Sequence, residues 1–469
     1  MKHLHFIGIC GVGMSALATL FKKKGWVVTG SDVGFYPPVS TNLEKHGVDF
    51  YPGWHPERVL HNFNQKIKVS PDDYLVVVGN VAGSENAEWK YVVDNNLPHV
   101  SYPELIARYL VKENSIVCAG TYGKTSSTAL LAWILKNAGY DPAYMFGGIS
   151  KNLELSANNP DDTKWSVLEG DEYKTARWDR RPKFLSYSPT HLLLTAIVWD
   201  HVDIYKTEKD YFTVFQKLLS LVPKDGLTVA CLDNENVQKL LKHKPPQSKV
   251  ITYGRSATTD YCYLNIQQTK EWLSLDIVHR GELHRLALPI IGEYMAENVC
   301  GAFALAHEIG VPYEKIISAL RQFTGLKRRL EKRGAINGAR VFDDIAHSPA
   351  KAKSALAALR KIYSKNIYAV FEPNTGNREP KAAPFYDQAF NDASEVVIPR
   401  LTKLKTKQDN PSLEGNDLEK IIKKTKPEVK YLPDDKKLID YLKNKTQPGD
   451  AVVFLGSHGF RGMIEELLK

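Results

Sequence analysis

Residues 115–128 read SIVCAGTYGKTSST. Ser115 to Ala119 has the composition of a short buried strand, and Thr125 to Ala138 carries a helical pattern closed by Gly139. Gly120 to Lys124 is left as the loop between them. A glycine loop with a lysine, set between strand and helix, is what phosphate binding requires. Backbone N–H groups and the helix terminus surround the phosphate oxygens, the lysine reaches the terminal phosphates, and a hydroxyl joins a bound Mg²⁺. Lys124 and Thr125 take those last two roles, with Gly120, Thr121, Gly123 and Ser126 around the phosphates. Cys118 stands where the first glycine is usual, so the loop is a variant.

Upstream, Leu4 to Ile9 reads as a buried strand and Met14 to Lys24 as a helix closed by Gly25. Trp26 to Thr29 reads as a second strand, ending at Gly30-Ser31-Asp32. This is a βαβ unit that opens a doubly wound sheet. Gly8, Gly11 and Gly13 shape its turn, and Ser31-Asp32 places a carboxylate where a ribose hydroxyl is bonded in dinucleotide folds. The glycine order is not the standard one, and a purely structural turn is an equal reading of these residues alone. Leu75–Val78 is a further strand and Pro103–Val111 a helix.

Downstream, strands are expected at Ser166–Leu168, Leu192–Ile197 and Leu227–Ala230, with a strand-rich stretch from Lys249 to Leu288 and a helix over Glu297–Ile309. A third α/β unit starts near Gly325, with strands at Ala339–Phe342, Ile367–Phe371, Glu395–Ile398 and Ala451–Leu455. Helices are expected at Ala350–Ile362 and Lys436–Leu442, and Lys403–Lys430 reads as a polar loop and helix. EGDEY at 169–173 and WDH at 199–201 each follow a strand. Carboxylates and imidazoles at neighbouring strand ends are placed to meet one Mg²⁺–nucleotide. GLKRRLE at 325–331 offers paired arginines for a phosphoryl group, and DDIAHSPAK at 343–351 places Asp344 and His347 in a turn stopped by Pro349.

The chain has 469 residues, 43% hydrophobic and 25% charged, which excludes a disordered or fibrous protein. No run of about 18 apolar residues is present, so no membrane-spanning helix is expected. The net charge of +9 is spread in short runs such as Lys22–Lys24 and Lys327–Arg329, which reads first as a solvated surface, then as attraction of an anionic small substrate, and last as nucleic-acid binding. Five scattered cysteines without a C-x-x-C pair fit a reducing cytoplasm. The glycines at 8, 11 and 13 argue against reading the apolar start as a signal peptide.

Taken in order, the glycine-rich start, GTxGKT, DE, DH, RRLE and DDxAHxP resemble the Mur ligase family over nearly the whole chain. The resemblance implies an α/β protein of three domains. These are a Rossmann-like UDP-sugar domain over 1–112, a central phosphate-loop ATPase domain over 113–324, and a C-terminal Rossmann-like domain over 325–469. It implies an ATP- and Mg²⁺-dependent amide ligase working through an acyl phosphate. Lys124, Glu172, His201, Arg329 and His347 would be its catalytic residues. Thr125, Glu172 and His201 would hold metal. ATP would meet Gly120, Thr121, Gly123, Lys124, Thr125, Ser126, Asn298, Arg329 and Asp344, and the UDP-sugar would meet Gly8, Gly11, Gly13, Met14, Ser31, Asp32 and Asn80.

Within the family, GSDVGFYPPVST at 30–41, Gly79-Asn80, DEYKTARWDRRPKF at 171–184, Glu372-Pro373 and SHGFRG at 457–462 look like one branch. That branch joins UDP-N-acetylmuramate to the recycled tripeptide L-alanyl-γ-D-glutamyl-meso-diaminopimelate; the alternative is the branch that adds L-alanine. Six positions depart from the family pattern: Tyr122 in the phosphate loop, where histidine is usual, Ala196 and Val198 before DH, Tyr294 and Met295 in the central signature, and Asn374 after Glu372-Pro373. They leave a nucleotide-binding protein without ligase activity as a rival. A nicotinamide oxidoreductase, suggested by Gly8 to Asp32, is the other, and it has no use for Lys124-Thr125. Neither a nucleic-acid partner nor a membrane is expected, and the sequence leaves the oligomeric state open.

Overall fold

The computed structural model describes residues 2–35, 39–60, 72–80, 82–201, 204–402 and 412–469. Tyr36, Pro37 and Pro38, and residues 403–411 of the lysine-rich stretch, lie outside the described residues. Three sheets account for the strands. The first contains β1 (His3–Ile7), β2 (Val27–Asp32), β3 (Asp49–Pro52), β4 (Tyr74–Val78) and β5 (His99–Ser101), all parallel, in the order β3-β2-β1-β4-β5. The order reverses between β1 and β4, which opens a crevice beyond their carboxyl ends.

The second sheet contains β6 (Asn114–Ala119), β7 (Ala143–Met145), β8 (Ala157–Asn158), β9 (Trp165–Gly170), β10 (His191–Leu194), β11 (Leu227–Cys231), β12 (Lys249–Gly254), β13 (Tyr261–Gln268), β14 (Leu273–His279) and β15 (Glu282–Leu288). Its order is β15-β14-β13-β12-β11-β10-β6-β9-β7-β8. The strand carrying the phosphate loop, β6, is therefore flanked in parallel by the two that carry the DE and DH motifs. Cys118 pairs with Glu169 and Ala119 with Gly170, so loop and carboxylates leave the sheet side by side.

The third sheet contains β16 (Glu331–Ile336), β17 (Ala339–Asp344), β18 (Ile367–Glu372), β19 (Glu395–Pro399), β20 (Val429–Leu432) and β21 (Ala451–Gly456), in the order β16-β17-β21-β18-β19-β20. Only β16 runs antiparallel. All of β18 is buried, and its residues alternate between two cores: Val370 packs with Phe454 and Leu438, Phe371 with Leu455 and Phe390. That is the signature of a sheet covered on both faces, and each such side chain contributes about 1.5–3 kcal/mol.

The chain forms two compact units: Met1–Asn265 with Leu275–Ala287 and Tyr294–Phe323, and Ile266–Ser274 with Leu288–Glu293 and Thr324–Lys469. Several elements differ from the sequence expectation. The first helix starts at Val12, because Gly11 serves as its N-cap. β10 ends at Leu194 rather than Ile197, since Thr195 to Val198 turn to bond the phosphate loop. Pro349 does not stop a turn; it is the first helical residue of Pro349–Arg360, with Ser348 capping Lys351, a position where its missing N–H costs nothing.

Candidate functional site

The phosphate loop needs its glycines for a stated reason. Gly120 and Gly123 have φ of +135° and +81°. A Cβ on Gly120 would lie 2.2 Å from Thr195 Oγ1, and one on Gly123 would lie 2.2 Å from Asn298 Oδ1. The helix Lys124–Ala138 starts immediately after, with Gly123 as its N-cap. Thr121 does not face outward. Its N–H donates to the Ala196 carbonyl and its hydroxyl donates to the Val198 carbonyl, while the Val198 N–H donates to that hydroxyl. Ala196 and Val198 thus serve the loop through their backbones. Asn298 supports the loop from behind, accepting from Ser127 at 3.4 Å. Ser126 is buried in the first turn of the helix.

Lys124 Nζ lies 2.8 Å from Glu172 and donates to the Gly120 carbonyl at 2.7 Å. Glu172 is 1% exposed and also accepts from Tyr211 at 3.2 Å, with His201 Nε2 at 3.5 Å. Ligand atoms of Asp171, Glu172 and His201 all lie within 4.8 Å of one another. Asp171 pairs with Lys183 at 2.5 Å. Burial disfavours its charge, but Lys183 and Lys124 outweigh that and pull its pKa down to about 2. Burial likewise works against charged Lys124 and His201, and the carboxylates, Glu172 first, overcome it and raise both. His201 holds φ of +53°, an uncommon conformation for this residue type. Oxygen donors, one imidazole and a buried lysine make a donor set suited to a hard cation beside phosphates.

Sequence reasoning singled out Glu172 from EGDEY and passed over Glu169. Glu169 accepts from Thr125 at 2.8 Å and from the Gly147 N–H at 2.5 Å, so it anchors the hydroxyl expected at a metal. Its place in the same run of three carboxylates was the available signal.

At the first sheet's crevice, Gly8 has φ of +88° and donates its N–H to the Ser31 carbonyl. A Cβ on Gly13 would strike Tyr102 at 2.6 Å. Asp32 accepts from the Cys10 N–H at 2.9 Å, spending one carboxylate oxygen on holding the glycine turn. Ser31 turns away: it is fully buried and donates to Glu88, which also accepts from Tyr51 and the His55 N–H. A cavity of about 220 Å³ is lined by Gly11, Gly13, Met14 and Asn80 on one side and Glu169, Asp171 and Lys183 on the other. Asn80 Oδ1 is buried without a hydrogen-bond partner among the described residues, while its amide donates to the Lys174 carbonyl. Of the seven residues expected at the UDP-sugar, four line this cavity and Gly8, Ser31 and Asp32 do not.

In the second unit, Asp344 ends β17 and accepts from the N–H groups of Leu330 and Ala346, which fixes the backbone around Arg329. The two arginines divide. Arg328 is spent: it pairs with buried Asp343 at 3.2 Å and donates to the carbonyls of Gly456, Ser457 and His458. Half-buried Arg329 makes no side-chain hydrogen bond or ion pair among the described residues. His347 gives its Nδ1–H to the Ile345 carbonyl, and burial, with Lys351, lowers its pKa to about 4, so it is neutral. Asn374 caps the short helix Thr375–Arg378. Arg378 does not replace the missing arginine, because it is 2% exposed and committed to Thr402, Leu413 and Glu414.

Three sheets built around parallel strands, a crevice at a strand-order reversal and a lysine–carboxylate cluster on a glycine loop define an α/β protein of the phosphate-loop class. Comparison with known proteins makes this specific. The model of the Mur ligase family catalytic domain matches residues 3–113, that of the Mur ligase middle domain 118–306, and that of the Mur ligase glutamate ligase domain 328–458. The UDP-N-acetylmuramate–L-alanyl-γ-D-glutamyl-meso-2,6-diaminoheptandioate ligase of Haemophilus influenzae is 30% identical, covering 100% of this chain and 99% of that one. The UDP-N-acetylmuramate–L-alanine ligase of Desulfitobacterium hafniense is 31% identical over 97% of each chain. The crystal structure of a murein peptide ligase from Psychrobacter arcticus superposes with a TM-score of 0.73 at 27% identity, covering 100% of this chain and 98% of that one. The chain belongs to the Mur ligase family, ATP-dependent ligases that form amide bonds.

Proposed function

We propose that this protein joins the carboxylate of UDP-N-acetylmuramate to the amine of L-alanyl-γ-D-glutamyl-meso-diaminopimelate. The observation that carries the reading is a cavity lined jointly by Gly11, Gly13, Met14 and Asn80 and by Glu169, Asp171 and Lys183. A sugar nucleotide held at the first would bring its carboxylate to the carboxylate–lysine cluster of the second. One carboxylate oxygen attacks the γ-phosphorus and ADP leaves. The amine nitrogen then attacks the acyl carbon, phosphate leaves and the amide remains. Such transfer depends on positioning and charge neutralisation. Lys124 neutralises β and γ oxygens. Mg²⁺ supplies further neutralisation when bound, and Thr125, Glu172 and His201 are the residues that would hold it. Arg329, without a side-chain partner among the described residues, is a cation available to a phosphoryl group. Neutral His347 offers Nε2 as a proton acceptor, and Asp344 holds that segment in shape.

The same reading divides the chain at 1–112, 113–324 and 325–469, since each segment contains one sheet, and places it in the cytoplasm working on soluble precursors. Among the described residues no helix is long and apolar enough to cross a membrane. The similarity to the L-alanine ligase keeps L-alanine as a second reading of the amine. ADP release measured with UDP-N-acetylmuramate and either amine tests both. Release that requires neither the sugar nucleotide nor an amine would remove the ligase reading.

A further inference from the structure

At the far end of the helix that braces the phosphate loop lies a second group of metal-binding side chains. Asn298 touches the loop near the start of the helix Met295–Glu308. Glu308, ten residues on, lies about 15 Å further along the axis. There, ligand atoms of His279, His307 and Glu308 lie within 4.8 Å of one another. His279 ends β14, where Arg280 and Gly281, at φ of +47° and +83°, make the tight turn into β15.

The hydrogen bonds around these residues set both imidazoles in one tautomer. His279 Nδ1 faces the Asp260 carbonyl at 2.9 Å, an acceptor only, so Nδ1 carries the proton. Tyr261 donates its hydroxyl proton to Glu308 Oε1 at 2.9 Å, so towards His307 Nδ1, at 2.5 Å, the phenol oxygen accepts and Nδ1 again carries the proton. Both Nε2 atoms are left with a bare lone pair. An imidazole whose Nδ1–H is fixed by an oxygen while Nε2 stays open is how ligating histidines are held. Burial, then His279, lowers the His307 pKa, so the ring is neutral; Glu308 stays ionised because Lys249 and Tyr261 outweigh its burial. The other charged groups here are Lys249, 2.6 Å from Glu308 Oε2 and largely exposed, with Arg280 and Glu282 on the turn. Tyr313 stacks on His307 at 3.9 Å and fixes its ring plane.

We propose that His279, His307 and Glu308 form a site for a divalent transition metal of the zinc class, with water as a further ligand, that clips β14 to the end of this helix. Two imidazoles and one carboxylate suit Zn²⁺ or Co²⁺ rather than Mg²⁺. No role in the ligase chemistry is assigned to it.

The test uses the full chain stripped of metal, with Mg²⁺ and ADP in excess to occupy the cluster around Glu172. Zn²⁺ is titrated calorimetrically into wild type, His279→Gln with His307→Gln, and Glu308→Gln. The expectation is one zinc equivalent in wild type that weakens at least about 100-fold in the variants, with Mg²⁺-dependent turnover unchanged. Tyr261→Phe removes the phenol that orients His307 and Glu308, and zinc should bind about 10–100-fold more weakly. Co²⁺ bound to wild type should show the intense visible bands of a tetrahedral centre and X-ray absorption from two imidazoles. Equal zinc binding in wild type and the histidine variant overturns the proposal. If that variant does not fold, a Co²⁺ spectrum of octahedral type, or one without imidazole scattering, overturns it on wild type alone.

Discussion

Glu172 is almost sealed from water and holds Lys124, Tyr211 and His201 around it. In such a place a charge is worth more than at the surface, and an uncompensated one costs about 3–5 kcal/mol. Lys124→Ala should therefore lower thermal stability and reduce ADP formation by at least about 100-fold, because both the cation at the β and γ oxygens and the partner of Glu172 are gone. Near-normal ADP formation in the folded variant would sink the phosphate-loop assignment. The adjacent arginines should separate in the opposite sense. Arg328→Ala takes one of two arginine partners from buried Asp343, Arg333 remaining at 3.1 Å, and removes the donor to three carbonyls, so it should destabilise the second unit by about 1–3 kcal/mol. Arg329→Ala should leave the melting profile unchanged and still lose turnover. Equal stability losses in the two variants would contradict the division. His347 adds a pH dependence. Its folded pKa lies near 4, below the ordinary 6.5, so the unfolded chain takes up a proton first as pH falls. That contribution to stability is complete above 6.5 and is lost between 6.5 and about 4. Denaturation followed across this window should show a shallower acid slope in His347→Gln than in wild type.

At the level of the element, the phosphate loop is held by its neighbours more than by itself. Thr195 to Val198 leave β10 to bond it, and Asn298 closes it from the helix Met295–Glu308. Of Tyr294, Met295 and Asn298, Asn298 is the one that meets Gly123, and its amide donates to Met295 Sδ at 3.6 Å. Gly120→Ala should therefore abolish nucleotide binding, since a Cβ meets both a hydroxyl at 2.2 Å and backbone at 2.9 Å under a φ of +135°. Gly139→Ala at the other end of the same helix, at φ of +92° but with open space around it, should cost only about 1 kcal/mol and leave binding intact. Isothermal titration with ADP on both variants reads this directly; equal affinities would show that the loop tolerates the side chain.

For the molecule as a whole, the basic excess and the choice of amine are the open quantities. The charge of +9 is carried in short runs rather than in one basic stripe. Binding to duplex DNA at physiological salt should be no tighter than about 10⁻⁶ M, the non-specific range. For the amine, kcat/KM with saturating ATP and UDP-N-acetylmuramate should favour the tripeptide over L-alanine. Exposed Arg177 gives only its Nε–H to the Asn80 carbonyl, which leaves the rest of its guanidinium for an extra carboxylate. A clear preference for L-alanine would move the protein to the second reading.

Local pattern alone determined a good deal of this protein: the strand–glycine–helix units, the loop at 120–125, and the carboxylates and histidines at strand ends. Those are short-range features, written in periodicity, glycine placement and capping residues. What each polar side chain faces was decided by tertiary structure. Ser31 and Asp32 are neighbours in sequence, yet one enters a buried network with Glu88 and the other holds the Cys10 N–H, because successive residues of a strand point to opposite faces. Arg328 and Arg329 read alike, and only the carbonyls of Gly456 to His458, about 130 positions away, commit the first and leave the second free. Glu169 and the histidine pair of the far edge stayed unread for the same reason. Glu169 is met by Thr125 and by the Gly147 N–H, and His307 lies beside His279 of β14; pairing over such sequence distances is set when the sheet assembles, not by the residues alongside.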